Sequence, residues 1–121
     1  MKIERGVTRI VFVFNSFVIK IPSFTQYNHF LYGLLANLKE KKWSGKHKDL
    51  AKVFYCSRTG LFLIMEKAEV VSNNIDWGEF CDSLIDKYKD DELKEFMLSD
   101  LKPNNWGYVK NRLIKIDYGD L

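Results

Sequence analysis

The sequence predicts a single α+β domain, and three observations predict it. With 121 residues, 46% of them hydrophobic, and only 7 Gly and 2 Pro, the chain has apolar material for one packed core and little length for two. Short β-branched and aromatic runs come in pairs separated by turn-forming residues, the pattern of antiparallel hairpins. Between the pairs lie longer segments whose apolar residues recur every three or four positions, the pattern of helices.

The first pair is Ile10 to Phe14 and Phe17 to Ile21, joined by Asn15-Ser16. A hairpin centred on those two residues sets Val11 opposite Lys20. Pro22 has no N–H for the ladder and ends the second strand, and Ser23 is the expected N-cap of the helix that follows. From Phe24 to Lys41, Tyr27, Phe30, Leu31, Leu34, Leu35 and Leu38 keep helical spacing and predict one buried stripe packed on the hairpin.

After the polar stretch Ser44 to Lys48, the runs Ala51 to Cys56 and Leu61 to Glu66 flank Ser57-Arg58-Thr59-Gly60 and predict a second hairpin. Asn73-Asn74 lead into a helix over Ile75 to Tyr88, with Ile75, Phe80, Leu84, Ile85 and Tyr88 as its stripe. Gly78 costs about 1 kcal/mol inside a helix, which puts the true start near it. Leu93 to Leu98 reads as a short helix. Trp106 to Val109 and Arg112 to Ile116, around Lys110-Asn111, read as a third hairpin, with Trp106-Gly107-Tyr108 serving strand packing.

Composition also removes several function classes. The longest apolar run, Ile10 to Phe14, is far short of the roughly 20 residues that span a bilayer, and no basic-then-apolar leader opens the chain. A cytoplasmic protein without a membrane partner is expected. Cys56 and Cys81 stand alone, without a CxxC or Cys/His cluster, and are expected to be buried, reduced thiols rather than zinc ligands or a disulfide. The net charge of +3 is carried by residues 39–49, where five lysines face only Glu40 and Asp49. Trp43 inside that run would suit a nucleic acid, but a solvated helix end is the favoured reading, so no nucleic-acid partner is expected.

The chemistry concentrates in Asp100-Leu101-Lys102-Pro103-Asn104-Asn105 and in Asp117-Tyr118-Gly119. These segments resemble the protein kinase family, whose catalytic loop is D-L-K-P-x-N followed by a short hairpin and D-F-G; Tyr118 stands in place of Phe. Upstream, Phe17-Val18-Ile19-Lys20 is similar to the strand motif V-A-I-K. Leu63-Ile64-Met65-Glu66-Lys67-Ala68 is similar to the last small-lobe strand running into the hinge.

The resemblance implies a role for each matching position. Lys20 would pair with the α- and β-phosphates, Asp100 would orient the acceptor hydroxyl and take its proton, and Lys102 would support the γ-phosphate. Asn105 and Asp117 would hold Mg²⁺: a carboxylate and an amide oxygen are hard ligands suited to it, and the hairpin between them returns the chain toward one ion. Val11 and Val18 would roof the adenine, Met65 would be the gatekeeper, and the backbone of Glu66 and Ala68 would meet the base. Glu40 is the acidic residue of the helix after Lys20, and it reads equally as the ion-pair partner of Lys20 or as a solvated side chain of the charged run.

The departures matter as much. The family's glycine-rich lid is reduced to Gly6-Val7-Thr8-Arg9-Ile10-Val11: Gly6 fits the second glycine, Arg9 replaces the third, Glu4 sits at the first, and the first strand is expected to be incomplete. Leu98-Ser99-Asp100 stands where the family has H-R-D, so the propping His and the Arg that reads activation-loop phosphate are missing, and regulation of that kind is not expected. The sequence stops shortly after Gly119, so an activation segment and a helical peptide platform are not expected either.

The implied fold is thus a truncated protein-kinase-like α+β fold. A small antiparallel sheet with one helix (1–67) is followed by a hinge near Ala68, then by helices and a catalytic-loop hairpin (68–121), together one mini-domain like the short kinase-like proteins of tailed bacteriophages. The implied function is Mg·ATP binding, with γ-phosphoryl transfer to a hydroxyl of a protein or small molecule. The alternative is a pseudokinase scaffold, in a phage a modulator of a host protein. A second copy of the chain stays open as a partner.

Overall fold

The computed structural model describes residues 1–71 and 75–119. The chain divides into two compact units, one formed by Met1–Lys67 together with the segment from Asp117, the other by Ala68–Ile116.

In the first unit the alternating runs pair as expected. Strands β1 (Lys2–Arg5), β2 (Arg9–Val13), β3 (Phe17–Pro22), β4 (Val53–Cys56) and β5 (Leu63–Glu66) form a five-stranded antiparallel sheet in the order β1-β2-β3-β5-β4. Val11 lies opposite Lys20, in the register set by the Asn15-Ser16 turn. The first strand is short, as expected: β1 has four residues, one fewer than β2, with which it pairs from Lys2↔Val13 to Arg5↔Ile10.

Helix α1 (Tyr27–Trp43) starts later than expected, with Gln26 rather than Ser23 at its N-cap, because Ser23 is drawn back to the strand by its N–H to the Thr8 carbonyl at 2.8 Å. Its buried face is also not the leucine stripe. Gly33, Ala36, Asn37 and Glu40 are buried, whereas Tyr27, Leu31 and Leu35 are exposed and Phe30, Leu34 and Leu38 are half-buried. Close approach is the reason. A Cβ on Gly33 would sit 2.4 Å from the Thr8 carbonyl oxygen and 2.7 Å from Pro22 Cα, so glycine lets the helix backbone settle on the β2–β3 end of the sheet. Residues 33, 36, 37 and 40 carry helical spacing of their own, and this face brings Asn37 and Glu40 against the strands.

Both described cysteines are free thiols, and Cys81 is half-buried rather than buried. Burial pushes the Cys56 thiol up from its ordinary value. In the basic run Lys41, Lys42, Lys46 and Lys48 are exposed; Lys41 and Lys42 lie in the last turn of α1, where positive charge suits the dipole, and Lys46 sits over the Trp43 ring at 4.8 Å.

The second unit opens with a two-residue strand, β6 (Glu69–Val70), which the sequence pattern misses. It joins β7 (Trp106–Val109) and β8 (Arg112–Lys115) in a three-stranded antiparallel sheet, order β6-β7-β8. Lys110 and Asn111 take φ of 50° and 66°, the doubly positive pair of a tight hairpin turn. Helix α2 (Trp77–Tyr88) begins just before Gly78, because the Asp76 carboxylate accepts the Glu79 N–H at 3.1 Å. Helix α3 (Lys94–Met97) is one turn, and the expected Asn73-Asn74 lead-in lies outside the described residues. Val71, Leu84, Tyr88, Met97, Trp106 and Ile114 form the core of this unit; Ile85, expected in the stripe, is exposed. Among the described residues no helix is long and apolar enough to cross a membrane.

Candidate functional site

In the first unit the sheet collects most of the proposed nucleotide residues on one face. Val11 pairs with Lys20, Lys20 with Leu63 and Val18 with Met65, and residues two apart on a strand share a face. Arg9, Val11, Val18, Lys20 and Met65 are therefore side by side, with Met65 and Lys20 buried and the two valines half-buried. Glu66 has its backbone N–H committed to the Lys52 carbonyl at 2.9 Å, and its carboxylate accepts the Lys52 N–H at 2.9 Å.

Glu40 is the hub of this face. Its carboxylate takes Arg9 Nη1 at 2.6 Å, Arg9 Nη2 at 3.1 Å, Lys20 Nζ at 3.1 and 3.3 Å, and the Tyr118 N–H at 3.0 Å. The reading of Glu40 as a solvated side chain is overturned: its side chain is 0% exposed. Burial alone would raise its pKa, but the positive charges of Arg9 and Lys20 and their hydrogen bonds outweigh burial and hold it at about 2. Asn37 braces the cluster, accepting from Arg9 Nη1 at 3.1 Å and donating to the carbonyls of Lys20 at 3.1 Å and Gly60 at 2.8 Å.

Asp117 joins through Arg9, whose Nη2 donates to Asp117 Oδ1 at 2.8 Å. The next two residues anchor this segment on the same unit. Tyr118 donates its hydroxyl to the Ala51 carbonyl at 2.6 Å, and Gly119 passes so close that a Cβ would lie 2.6 Å from the Ala36 carbonyl oxygen. Burial, followed by the negative charge of Glu40, pushes the Tyr118 phenol far up, so it stays a neutral donor. The extra hydroxyl of Tyr118 over Phe therefore has a definite partner.

The second unit holds the other group. Asp100 takes a φ of 48°, in the left-handed region, and Asn105 Nδ2 donates to its carbonyl at 2.9 Å and to its Oδ2 at 3.1 Å. Lys102 Nζ lies 3.5 Å from Asp100 Oδ1, both side chains being exposed, so this contact orients more than it stabilises. Ala68 heads the unit beside Gly107, where a Cβ would come within 2.8 Å of the Ala68 Cβ. The two groups are thus Lys20 with Glu40, Arg9 and Asp117, and Asp100 with Lys102 and Asn105. Asn105 and Asp117 belong to different units.

Two residues of the site are missed by sequence reasoning. Arg9 reads only as a lost glycine, yet its parity with Val11 and Lys20 already placed a second cation on the same sheet face. Lys115 reads as an ordinary strand residue; it is buried, and its ammonium donates to the carbonyls of Phe96 at 2.9 Å, Met97 at 3.3 Å and Ser99 at 2.8 Å, and to Ser99 Oγ at 3.0 Å. It thereby caps the end of α3 and fixes the residue before Asp100. No spacing signal announces it.

Taken singly, the donors at Asn105 and Asp117 are of a kind that suits Mg²⁺. Because Asn105 spends its amide nitrogen on Asp100, the amide oxygen is the end left to act as a ligand, and Asp117 supplies carboxylate oxygen, one atom of which is shared with Arg9. Among the described residues no three His, Cys, Asp or Glu side chains gather as a metal centre. Compared with known proteins, the chain matches no protein-family model and no curated protein.

Proposed function

We propose that this protein is kinase-like: it binds Mg·ATP and transfers the γ-phosphoryl group to a hydroxyl of a protein or small molecule. The observation that carries the reading is the buried pair between Lys20 on β3 and Glu40 on α1, 3.1 Å apart. Kinase chemistry requires a strand lysine held by a helix glutamate, because a lysine oriented in this way can meet phosphate oxygens without reorganising. Lys20 would anchor the α- and β-phosphates and Lys102 would meet the γ-phosphate. Asp100, with Asn105 fixing its carboxylate, would take the proton of the acceptor hydroxyl. Mg²⁺, for which Asn105 and Asp117 are the proposed ligands, would neutralise phosphate charge. The adenine would rest on the sheet face of Val11, Val18 and Met65, meeting the backbone of Glu66 and Ala68.

A second reading is a pseudokinase scaffold that binds a partner without transfer. It is favoured by Arg9, which stands at the third glycine of the lid and occupies a carboxylate oxygen of Asp117. The first test is melting temperature. A ligand bound only by the folded state at a hundred times its Kd adds about 2.7 kcal/mol, which is a shift of several degrees for a domain of this size. Millimolar Mg·ATP should raise the midpoint; no shift with either Mg·ATP or Mg·GTP would remove nucleotide binding and leave the scaffold.

A further inference from the structure

Helix α1 buries Gly33, Ala36, Asn37 and Glu40, which leaves its leucine stripe outside the contact with the sheet. Tyr27, Leu31, Leu34 and Leu38 follow one another at intervals of four, three and four residues, the spacing of a coiled-coil seam, and Leu35 flanks them. The β4–β5 turn reaches one edge of this stripe: a Cβ on Gly60 would lie 2.5 Å from the Leu34 carbonyl oxygen and 3.1 Å from Leu38 Cγ. Leu34 and Leu38 are accordingly half-buried, while Tyr27, Leu31 and Leu35 are 79%, 39% and 47% exposed. At the N-terminal end Phe24, 66% exposed, sets its ring 5.3 Å from that of Phe30 and prolongs the stripe.

Size and chemistry together select what fits. With a whole aromatic residue presenting about 200 Å² and leucine somewhat less, Phe24, Tyr27, Leu31 and Leu35 expose on the order of 450 Å² of largely apolar surface. A stable interface takes about 800 Å² from each partner, somewhat more than half of it apolar, and the stripe supplies that apolar share. Its two ends differ. Phe24, Tyr27 and Phe30 make the N-terminal end aromatic, and the exposed Lys41 and Lys42 make the C-terminal end basic. Two copies of the helix laid antiparallel bring the basic end of each onto the aromatic end of the other, where ammonium groups meet ring faces. Laid parallel, they would set the lysines of both copies side by side. The surface is thus complementary to itself in one orientation, as an isologous two-fold interface requires.

We propose that the exposed stripe of α1 is a homodimer interface, on which a second copy of this chain packs antiparallel about a two-fold axis between Leu34 and Leu35. Leu34 of one copy then meets Leu35 of the other, Leu31 meets Leu38, and Tyr27 meets Lys42. The interface uses residues of the first unit only and stands apart from the kinase-like reading.

The test is the mass of the full chain in solution, by sedimentation equilibrium. An interface of this size associates with a micromolar or lower Kd, so at about 100 μM the wild type should weigh twice one chain. Leu31→Lys combined with Leu35→Lys should be a monomer at that concentration with unchanged circular dichroism. Leu35→Lys alone should weaken association about tenfold or more and serves if the double variant does not fold. Orientation is read from Lys41→Gln combined with Lys42→Gln, in about 0.15 M salt so that long-range repulsion between copies is largely screened. In the antiparallel pair this change removes the contacts between ammonium and ring and should weaken association about tenfold, whereas a parallel pair would tighten as like charges are removed. A wild type that stays monomeric, which would leave the stripe to a different partner, overturns the proposal. So does a dimer that persists in the folded leucine variants, or one that the glutamines leave unchanged or tighten.

Discussion

Arg9 and Glu40, 31 positions apart in sequence, meet fork to fork, Nη1 to Oε1 at 2.6 Å and Nη2 to Oε2 at 3.1 Å. With Lys20 on the same carboxylate, removing the negative charge takes from both buried cations the acceptor they share. Breaking a buried ion pair on one side costs about 3–5 kcal/mol. Glu40→Gln should lower stability by that amount in urea unfolding, whereas Asp117→Asn, at the exposed flank, should cost about 1 kcal/mol or less. Equal costs for the two would show that Glu40 is not the hub.

Acid should weaken the fold through the same residue. The pKa of Glu40 in the folded chain is depressed to about 2 from an ordinary 4.5. Its contribution is therefore fully present above the ordinary value and is lost as pH falls through the window between the two, a change on the order of 3 kcal/mol. The urea midpoint should hold steady just above pH 5 and fall between pH 5 and 2. In Glu40→Gln the slope over that window should be much flatter, and an unchanged slope would assign the acid sensitivity to other carboxylates.

Gly33→Ala reverses the usual rule for helices. At an exposed interior position the change gains about 1 kcal/mol of helix propensity. At Gly33 the new methyl would meet the Thr8 carbonyl at 2.4 Å and Pro22 Cα at 2.7 Å, backbone that cannot step aside without moving the strands. Overpacking of this kind costs about 1–3 kcal/mol, so a net loss in urea unfolding is expected, and a gain would mean that α1 does not sit on the sheet through this residue.

Asp100 and Asp117 should separate binding from chemistry. In the presence of Mg²⁺, Asp117→Asn should weaken ATP binding and, with it, transfer. Asp100→Asn should bind Mg·ATP about as well as wild type while losing about 10²–10⁴-fold in transfer, the scale for removing a general base. The measurements are nucleotide affinity by calorimetry and incorporation of labelled γ-phosphate into the protein itself and into lysate. If wild type binds Mg·ATP but labels nothing and Asp100→Asn changes neither measurement, the scaffold reading stands alone.

The hairpins were legible because period-two runs broken by two-residue turns leave one register, as Val11 opposite Lys20 shows. The packing face of α1 was not. Apolar periodicity singles out Leu31 and Leu35, but ion pairs and close backbone contact bury Gly33, Ala36, Asn37 and Glu40 instead, and hydrophobicity does not register either force. Strand β6 is two residues long, too short for any period. Lys115 shows a further limit: its acceptors are backbone carbonyls, which every residue carries, so no partner residue marks the pairing in the sequence.

The placement of Asp117 and Tyr118 in the first unit also bears on how the chain is made. That unit is interrupted: residues 68–116 are spelled out between its two parts, and the bonds that close it span separations of 108 from Arg9 to Asp117, 78 from Glu40 to Tyr118 and 67 from Ala51 to Tyr118. On the ribosome the sheet and α1 emerge first, before the Tyr118 hydroxyl that meets the Ala51 carbonyl and the Asp117 carboxylate that meets Arg9. Contacts of such long range are slow to form, because the intervening chain must be closed before they stabilise anything. The nascent first unit is thus held below its final stability until Asp117–Gly119 arrive, and a ribosome stalled just short of them would carry a sheet more open to proteases than the finished protein.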